Sequence, residues 1–159
     1  MIAPSCEQEL RKEIISDIVK ILLKSTGRRY KPFGSTTFKK EAAAGVEPDA
    51  CFYIENYQLM IGRRRIEPND PAPDLAIEAD VTSKTTIDAY KAIGVPEVWI
   101  YNGKTLTIHL LQNNNYIKSD TSPTFPNIAI TQIIPTIVER SWQVGHFQAL
   151  EEFETMIGI

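Results

Sequence analysis

Cysteine and histidine are scarce in this sequence, with two of each among 159 residues. Cys6 and Cys51 are too few for a disulfide framework, and neither they nor His109 and His146 have the spacing of zinc ligands. No apolar run approaches the length of about 18 residues that a membrane span needs, and the N terminus lacks the basic-then-apolar order of a signal peptide. We therefore expect a cytoplasmic protein with no disulfide scaffold and no membrane partner.

An excess of basic charge is also missing, since the net charge is −3. By its totals alone, the chain is not of the class that coats nucleic acid. The totals hide an asymmetry, because residues 1–91 contain 14 Lys+Arg and 14 Asp+Glu whereas residues 92–159 contain 3 and 6. The early basic residues form short runs, which are either solvated surface or phosphate contacts. These runs are Arg28-Arg29-Tyr30-Lys31, Lys39-Lys40 and Arg63-Arg64-Arg65.

The length and the apolar fraction of 43% predict one domain, residues 1–159, with a single buried core. Helical periodicity indicates helices at about Ser5–Ser25, Ser83–Ile93 and Phe147–Ile157. Strand composition indicates strands at Phe33–Lys39, Asp49–Ile54, Leu75–Val81, Val98–Tyr101, Leu106–Leu111 and from Tyr116. The proline-rich residues 56–73 predict a connection that contains one short strand. This order of elements is typical of a mixed α/β domain.

Several local features refine these elements. In the first helix, the predicted core stripe includes Leu10, Ile14, Ile18 and Ile21, and Gly27 is a plausible terminator. The pair Asn102-Gly103 predicts a type I′ hairpin turn. Two aromatic residues, Tyr90 and Trp99, are predicted to lie in the core because they are in phase with apolar neighbours.

Three carboxylates interrupt otherwise apolar strand segments, and burying a charge is costly unless it is paired or binds a metal. Asp49 begins the strand DACFYI, and Glu78 and Asp80 share one face of the strand LAIEADV. Carboxylates gathered from adjacent strands repel one another, and a hard cation such as Mg²⁺ relieves that repulsion. The pattern outlines an acidic metal site, with Lys84 four residues beyond Asp80. The alternative is a set of structural ion pairs at the end of a sheet.

The segments GVEPDACFYIE, PDLAIEADVTSK and AYKAIGVPEVWIYN resemble the restriction-endonuclease-like family of the PD-(D/E)xK nuclease superfamily. The resemblance extends from the opening MIAPSCEQE to the hairpin near Leu111, and AYKAIGVPEVWIYN is its most specific part. It implies a central mixed sheet flanked by helices, and metal-dependent hydrolysis of DNA phosphodiester bonds. It also implies a leading strand that would precede Met1.

The resemblance assigns roles to individual residues. Asp49 matches the first acid of the family motif and Glu78 the second, and together with the backbone carbonyl of Ala79 they would hold Mg²⁺, for which Mn²⁺ can substitute. Asp80 stands where the superfamily places its lysine, so the literal motif is broken. Lys84 is the candidate for the displaced lysine that positions the attacking water, and Lys91 is the alternative.

Further assignments concern the first helix and the surface. Glu9 follows Gln8 where relatives begin the first helix with a His-Glu pair, and it would supply an accessory acid. The C-terminal helix offers either a core face or a homodimer interface, and its periodicity favours the core. DNA phosphates are the partners that the resemblance implies for the basic residues of the early runs: Arg28, Arg29, Lys39, Arg63, Arg64 and Arg65.

The sequence is compatible with three hypotheses about function. The first is a Mg²⁺-dependent DNA endonuclease. The second is a nuclease fold that has lost catalysis and serves as a binding or interaction module, for which a solvent-facing Lys84 would argue. The third is a metal-dependent phosphatase or nucleotide hydrolase that acts on small substrates, which would favour a closed pocket over an open cleft.

Overall fold

The computed structural model describes residues 6–34, 38, 46–79 and 84–159, with the side chains of residues 84–86 outside that description. Along these residues the helices are α1 (Cys6–Ser25), α2 (Tyr57–Met60), α3 (Lys84–Ile93), α4 (Ile130–Val144) and α5 (His146–Met156). The strands are β1 (Lys31–Phe33), β2 (Ala50–Tyr53), β3 (Leu75–Glu78), β4 (Glu97–Tyr101), β5 (Leu106–Gln112) and β6 (Asn115–Ser119). Within the described helices, no segment is both long and apolar enough to cross a bilayer.

The strands form one sheet in which neighbours in sequence are neighbours in space, in the order β1-β2-β3-β4-β5-β6. Four of the five pairings are antiparallel, and β3 and β4 are parallel, with Leu75 opposite Glu97 and Glu78 opposite Ile100. A parallel pair needs a crossover connection, and α3 lies within it. The sheet is therefore mixed, as the resemblance implied.

Helices cover both faces of this sheet. On one face, α1, α4 and α5 pack against sheet residues that include Ile77 and Trp99. On the other face, α3 and α2 pack against β2, β3 and β4 through residues that include Tyr53, Tyr90 and Val98. All four residues of β3 are buried because both of its faces are covered. Any charged group on β3 must therefore find its partners inside the protein.

Helix α1 ends in a Schellman motif. Gly27 adopts a left-handed backbone with φ of 71°. The N–H of Gly27 donates to the carbonyl of Lys24 at 3.1 Å, and the N–H of Arg28 donates to the carbonyl of Leu23 at 2.9 Å. The predicted terminator is confirmed. The predicted core stripe is wrong at Leu10, which is 47% exposed because the buried part of α1 begins only at Ile14, in its third turn.

The hairpin turns differ from the prediction. Asn102 and Gly103 lie in a four-residue loop, because Tyr101 pairs with Leu106. The Oδ1 atom of Asn102 accepts hydrogen bonds from the N–H groups of Lys104 and Thr105 in that loop, at 2.9 and 2.8 Å. Of these two hairpins, the one before β6 has the positive φ at both loop positions that a type I′ turn requires, with 50° at Asn113 and 61° at Asn114.

Three other predicted elements are shifted. The strand predicted at Phe33–Lys39 begins earlier, at Lys31, and residues 35–37 and 39–40 lie outside the described part of the chain. The described residues of the 56–73 connection hold the short helix α2 and no strand. The C-terminal helix is confirmed and its Phe153 is buried, but Phe147 is 77% exposed.

Glu97 is a buried carboxylate at the start of β4, with 2% of its surface exposed. Its two oxygens accept four hydrogen bonds: from Trp99 Nε1 at 2.5 Å, from the Ser122 hydroxyl at 2.5 Å, and from the N–H and hydroxyl of Thr124 at 3.1 and 2.7 Å. These bonds attach the segment before α4 to the centre of the sheet. They also replace the water that the carboxylate loses on burial.

We expect Glu97→Ala to lower the free energy of unfolding by about 3 kcal/mol or more, because it leaves the buried donors of Trp99 and Ser122 and the half-buried donors of Thr124 without this partner. Urea denaturation followed by circular dichroism measures this loss. Glu151→Ala, at an exposed position of α5, is the matched control and should change the free energy by less than about 0.5 kcal/mol. Equal effects of the two substitutions would contradict the role of the buried network.

Candidate functional site

Asp49 and Glu78 lie at adjoining ends of two antiparallel strands. Ala50 is opposite Ile77 in the β2–β3 register, so Asp49, one residue before β2, comes next to Glu78, the last residue of β3. The Asp49 N–H donates to the carbonyl of Ile77 at 3.0 Å, and its Oδ2 accepts from the N–H of Ala79 at 2.7 Å. The structure thus brings together three of the residues that the sequence assigned to a metal site.

Glu78 is held from the opposite side by Tyr90 of α3. The carboxylate is buried, with 8% of its surface exposed, and its Oε1 accepts a hydrogen bond from the hydroxyl of Tyr90. Burial raises the pKa of Tyr90 well above its usual range, and the charges of Glu78 and Asp49 raise it further. Tyr90 therefore keeps its proton and acts only as a donor to Glu78 near neutral pH.

Asp49 opens onto a cleft of about 170 Å³ between the sheet edge and α1. The helix contributes four polar side chains. Lys12, Ser16 and Lys20 are four residues apart and so lie on one face, and Glu13 lies beside them. The chain around β1, Pro32–Gly34, forms another wall. The cleft therefore places two ammonium groups and one further carboxylate around Asp49.

Glu9 does not line this cleft but is linked to it. Its Oε2 lies 3.7 Å from Nζ of Lys12, whose side chain is 18% exposed. Glu13, one turn further along α1, is the acid of this helix that lines the cleft. The helical spacing of positions 9, 12, 13, 16 and 20 is the sequence signal that could have indicated this face.

Two predicted site residues, Lys84 and Asp80, lie wholly or partly outside the described part of the chain. Asp80 and the side chain of Lys84 lie outside the described residues, and of Lys84 the structure gives only its place as the first residue of α3. Lys91 is directed elsewhere, since its Nζ lies 3.7 Å from Asp88 and donates to Asn115 of β6 at 3.1 Å. Sequence reasoning missed Lys12, Lys20 and Tyr90, which the structure places around the two carboxylates.

The donor set suits a hard cation with few protein ligands. Among the described residues, no three His, Cys, Asp or Glu side chains form a metal-binding group. Mg²⁺ is commonly bound through one or two carboxylates, and water and phosphate oxygens complete its coordination. Asp49 and Glu78 supply carboxylates of that kind at one edge of the sheet, so the residues present fit Mg²⁺.

The predicted phosphate contacts separate into two sets. Arg63 and Arg65 are paired with acids, Asp70 at 3.2 Å and Glu67 respectively. Arg28 is half-buried, with its guanidinium 4.9 Å from the centre of the Phe125 ring. Arg29 and Arg64 are exposed, and neither forms an ion pair with another described residue. Lys39 lies outside the described residues.

The two histidines do not join this site. His109 is half-buried on β5 beside the hydroxyl of Thr107 at 3.1 Å, and burial, together with Lys118, lowers its pKa. His146 does have a carboxylate partner, because its Nε2 lies 2.8 Å from Oδ2 of Asp17. That contact joins α5 to α1 over 129 positions of sequence.

Comparisons with known proteins place this geometry in context. A family model described as "Uma2: Putative restriction endonuclease" matches residues 2–143. A crystal structure described as that of a "putative nuclease belonging to DUF820" from Anabaena variabilis is similar over 86% of this chain and 84% of that chain. The two share 16% sequence identity with a TM-score of 0.54, which shows a common fold. No curated protein matches the chain.

Tyr90→Phe tests the buried hydrogen bond to Glu78. At pH 7 we expect the free energy of unfolding to fall by about 1–3 kcal/mol, because the buried hydrogen bond from Tyr90 to Glu78 is lost. Above pH 10 this tyrosine ionises in the unfolded chain but not in the native protein. Its ionisation therefore lowers the free energy of unfolding of the wild type by about 1.4 kcal/mol for each pH unit. Urea denaturation at pH 7, 10 and 11 measures both effects. The variant should lose stability less steeply than the wild type, and parallel profiles would contradict the assignment.

Proposed function

This chain belongs to the Uma2 family, and from that premise we propose that it is a metal-dependent endonuclease that hydrolyses DNA phosphodiester bonds. The observation that carries the proposal is the placement of Asp49 and Glu78 at adjoining ends of β2 and β3, where the Asp49 N–H donates to the carbonyl of Ile77 and the Asp49 carboxylate accepts from the N–H of Ala79. Two carboxylates in such proximity repel each other unless a cation or a proton is shared between them.

Asp49 and Glu78 would hold Mg²⁺ or Mn²⁺, with the backbone carbonyl of Ala79 and the carboxylate of Asp80 as further ligands in this proposal. When bound, the ion would polarise the scissile phosphate and lower the pKa of a coordinated water. The protein itself keeps the ligands in position. The N–H of Ala79 orients Asp49, and the hydroxyl of Tyr90 orients Glu78.

Positive side chains would complete the site. Lys12 and Lys20 line the cleft beside Asp49, where their ammonium groups can contact the phosphate that enters it. Glu9 keeps Lys12 in place through its ion pair, so the accessory acid of α1 would act through that lysine. Lys84 stays our candidate for positioning the attacking water, because it begins the helix that also carries Tyr90.

One observation favours a second function, that of a nuclease fold that binds nucleic acid without cleaving it. Asp80 occupies the position, two residues after Glu78, where the superfamily that this chain resembles places its lysine. A site without that lysine would keep the carboxylates and the basic surface and lose the group that activates water. Cleavage assays distinguish the two functions directly.

We expect the protein to cleave plasmid or single-stranded DNA in the presence of Mg²⁺ or Mn²⁺ and to lose the activity in EDTA. Asp49→Asn and Glu78→Gln should each lower the rate by about 100-fold or more, because each removes a charged metal ligand while keeping the size of the side chain. Gel electrophoresis of the products measures the rate.

Glu55→Gln is the matched control, because Glu55 is an exposed acid beyond the opposite end of β2. Its cleavage rate should equal that of the wild type. If the Asp49 and Glu78 variants cleaved as fast as the control, the activity would belong to another site or to a contaminant. If no metal supported cleavage while DNA still bound, the binding function would replace the endonuclease.

Lys84→Met and Lys12→Met distinguish the roles of the two lysines. Loss of a water-positioning group lowers kcat, so Lys84→Met should reduce kcat about 100-fold with KM nearly unchanged. Loss of a phosphate contact weakens substrate and transition state alike, so Lys12→Met should raise KM several-fold while kcat stays within about 3-fold. Steady-state kinetics on a fluorescent oligonucleotide separates these effects, and the reverse pattern would exchange the two roles.

A further inference from the structure

A ridge of basic side chains extends along α1 away from the carboxylates. Lys12, Ser16, Lys20 and Lys24 follow one another at intervals of four residues, so they form one continuous row on the helix surface. The first three line the cleft of Asp49. With a rise of 1.5 Å per residue, the row covers about 18 Å from Lys12 to Lys24. That length corresponds to at most about five nucleotide steps at the 3.4 Å spacing of stacked nucleotides.

The ridge ends in a second groove, which we call the α1–α2 groove. Its volume is about 400 Å³, and its lining residues come from the end of α1, from β1 and from α2: Lys24, Arg28, Arg29, Tyr30, Lys31, Tyr57 and Ile61. Lys24 belongs both to the ridge and to this groove. The two surfaces are therefore continuous.

The α1–α2 groove is basic although the chain as a whole is acidic. Four of its lining residues are cationic and none is acidic. Among the described residues, Lys24 and Arg29 form no ion pair. Nζ of Lys31 lies 5.2 Å from the centre of the Phe33 ring, so an aromatic face contacts that ammonium group. Such a concentration of positive charge complements a polyanion.

Phosphates alone do not account for the apolar side of the groove. Ile61 is 65% exposed and the neighbouring Leu59 is 63% exposed, and Tyr57 lies half-buried beside them. Bases of single-stranded DNA are free to stack on aromatic and apolar side chains, whereas bases in a duplex are already stacked and paired. A surface with cations on one side and an aromatic, apolar floor on the other fits a single strand.

We infer that the α1–α2 groove binds a single-stranded segment of DNA, with phosphates against Lys24, Arg29 and Lys31 and a base against Tyr57 and Ile61. The strand continues along Lys20 and Lys12 to the carboxylate of Asp49. This path toward Asp49 rests on the proposed function, while binding in the groove does not.

Binding is measured by fluorescence anisotropy of a labelled single-stranded oligonucleotide and its duplex, using Asp49→Asn protein in EDTA so that no cleavage occurs. We expect the single strand to bind more tightly than the duplex. Lys24→Glu combined with Arg29→Glu should weaken binding at least 10-fold, and the slope of log K against log salt should fall by about 1.4, since two phosphate contacts are lost. Tyr57→Ala should weaken binding about 5-fold or more, and Tyr57→Phe should restore it.

The matched control is Lys104→Glu combined with Lys118→Glu, which makes the same change of charge at exposed positions outside the groove. Binding by this control should stay within about 2-fold of the parent. Equal or tighter binding of the duplex, an unchanged affinity of Tyr57→Ala, or an equal loss in the control would each overturn the inference. The inference would also be overturned if Ile61→Ser abolished self-association in sedimentation and left DNA binding unchanged.

These outcomes are separate from those of the cleavage assay. If the single strand binds in the groove and no metal supports cleavage, the groove is upheld and the endonuclease is refuted. If Asp49→Asn abolishes cleavage while the groove variants bind as well as their parent, the endonuclease is upheld and the groove is refuted.

Discussion

A carboxylate that leaves water for the interior of a sheet must find hydrogen-bond donors there, and this constraint shapes the centre of the protein. The parallel pair β3–β4 carries two such acids at opposite ends. Glu97 accepts four hydrogen bonds and attaches the segment before α4. Glu78 accepts a bond from Tyr90 and adjoins a second carboxylate, Asp49. The need of buried carboxylates for hydrogen-bond donors thus produces a stabilising network at one end of the sheet and a candidate reactive site at the other.

The sequence was informative where periodicity is long and strong. Helix α1 extends over five turns with an apolar stripe, so tertiary packing reinforces what the pattern predicts. Turns were less predictable. Asn102-Gly103 has the composition of a type I′ turn, yet the pairing of Tyr101 with Leu106 makes a four-residue loop. The register is set by side-chain packing along whole strands, which two turn residues do not override.

In the candidate site, too, some features could be expected from the sequence and others depend on tertiary packing. The proximity of Asp49 and Glu78 could be expected from the sequence, because a charge within or directly before an apolar strand segment is exceptional. Tyr90 was correctly placed in the core, but its hydrogen bond to Glu78 depends on how α3 crosses β3, which periodicity does not encode. Lys12 and Lys20 lie on the polar side of α1, which a helical pattern assigns to solvent. Only the packing of α1 beside β1 makes that side the wall of a cleft.

The end of α1 has a consequence for how such a protein can diversify. Gly27 turns the chain so that Arg28 and Arg29 leave the helix axis and lead into β1, an edge strand that contributes no carboxylate. The carboxylates lie at the adjoining ends of β2 and β3, and the hydrogen bonds that orient them come from Ala79 and Tyr90 rather than from the turn. Under the proposed function, substitutions around the turn would therefore alter which ligands the surface accepts while the acids keep these donors. Recognition and chemistry would then be separate traits of one small fold, on which selection can act independently.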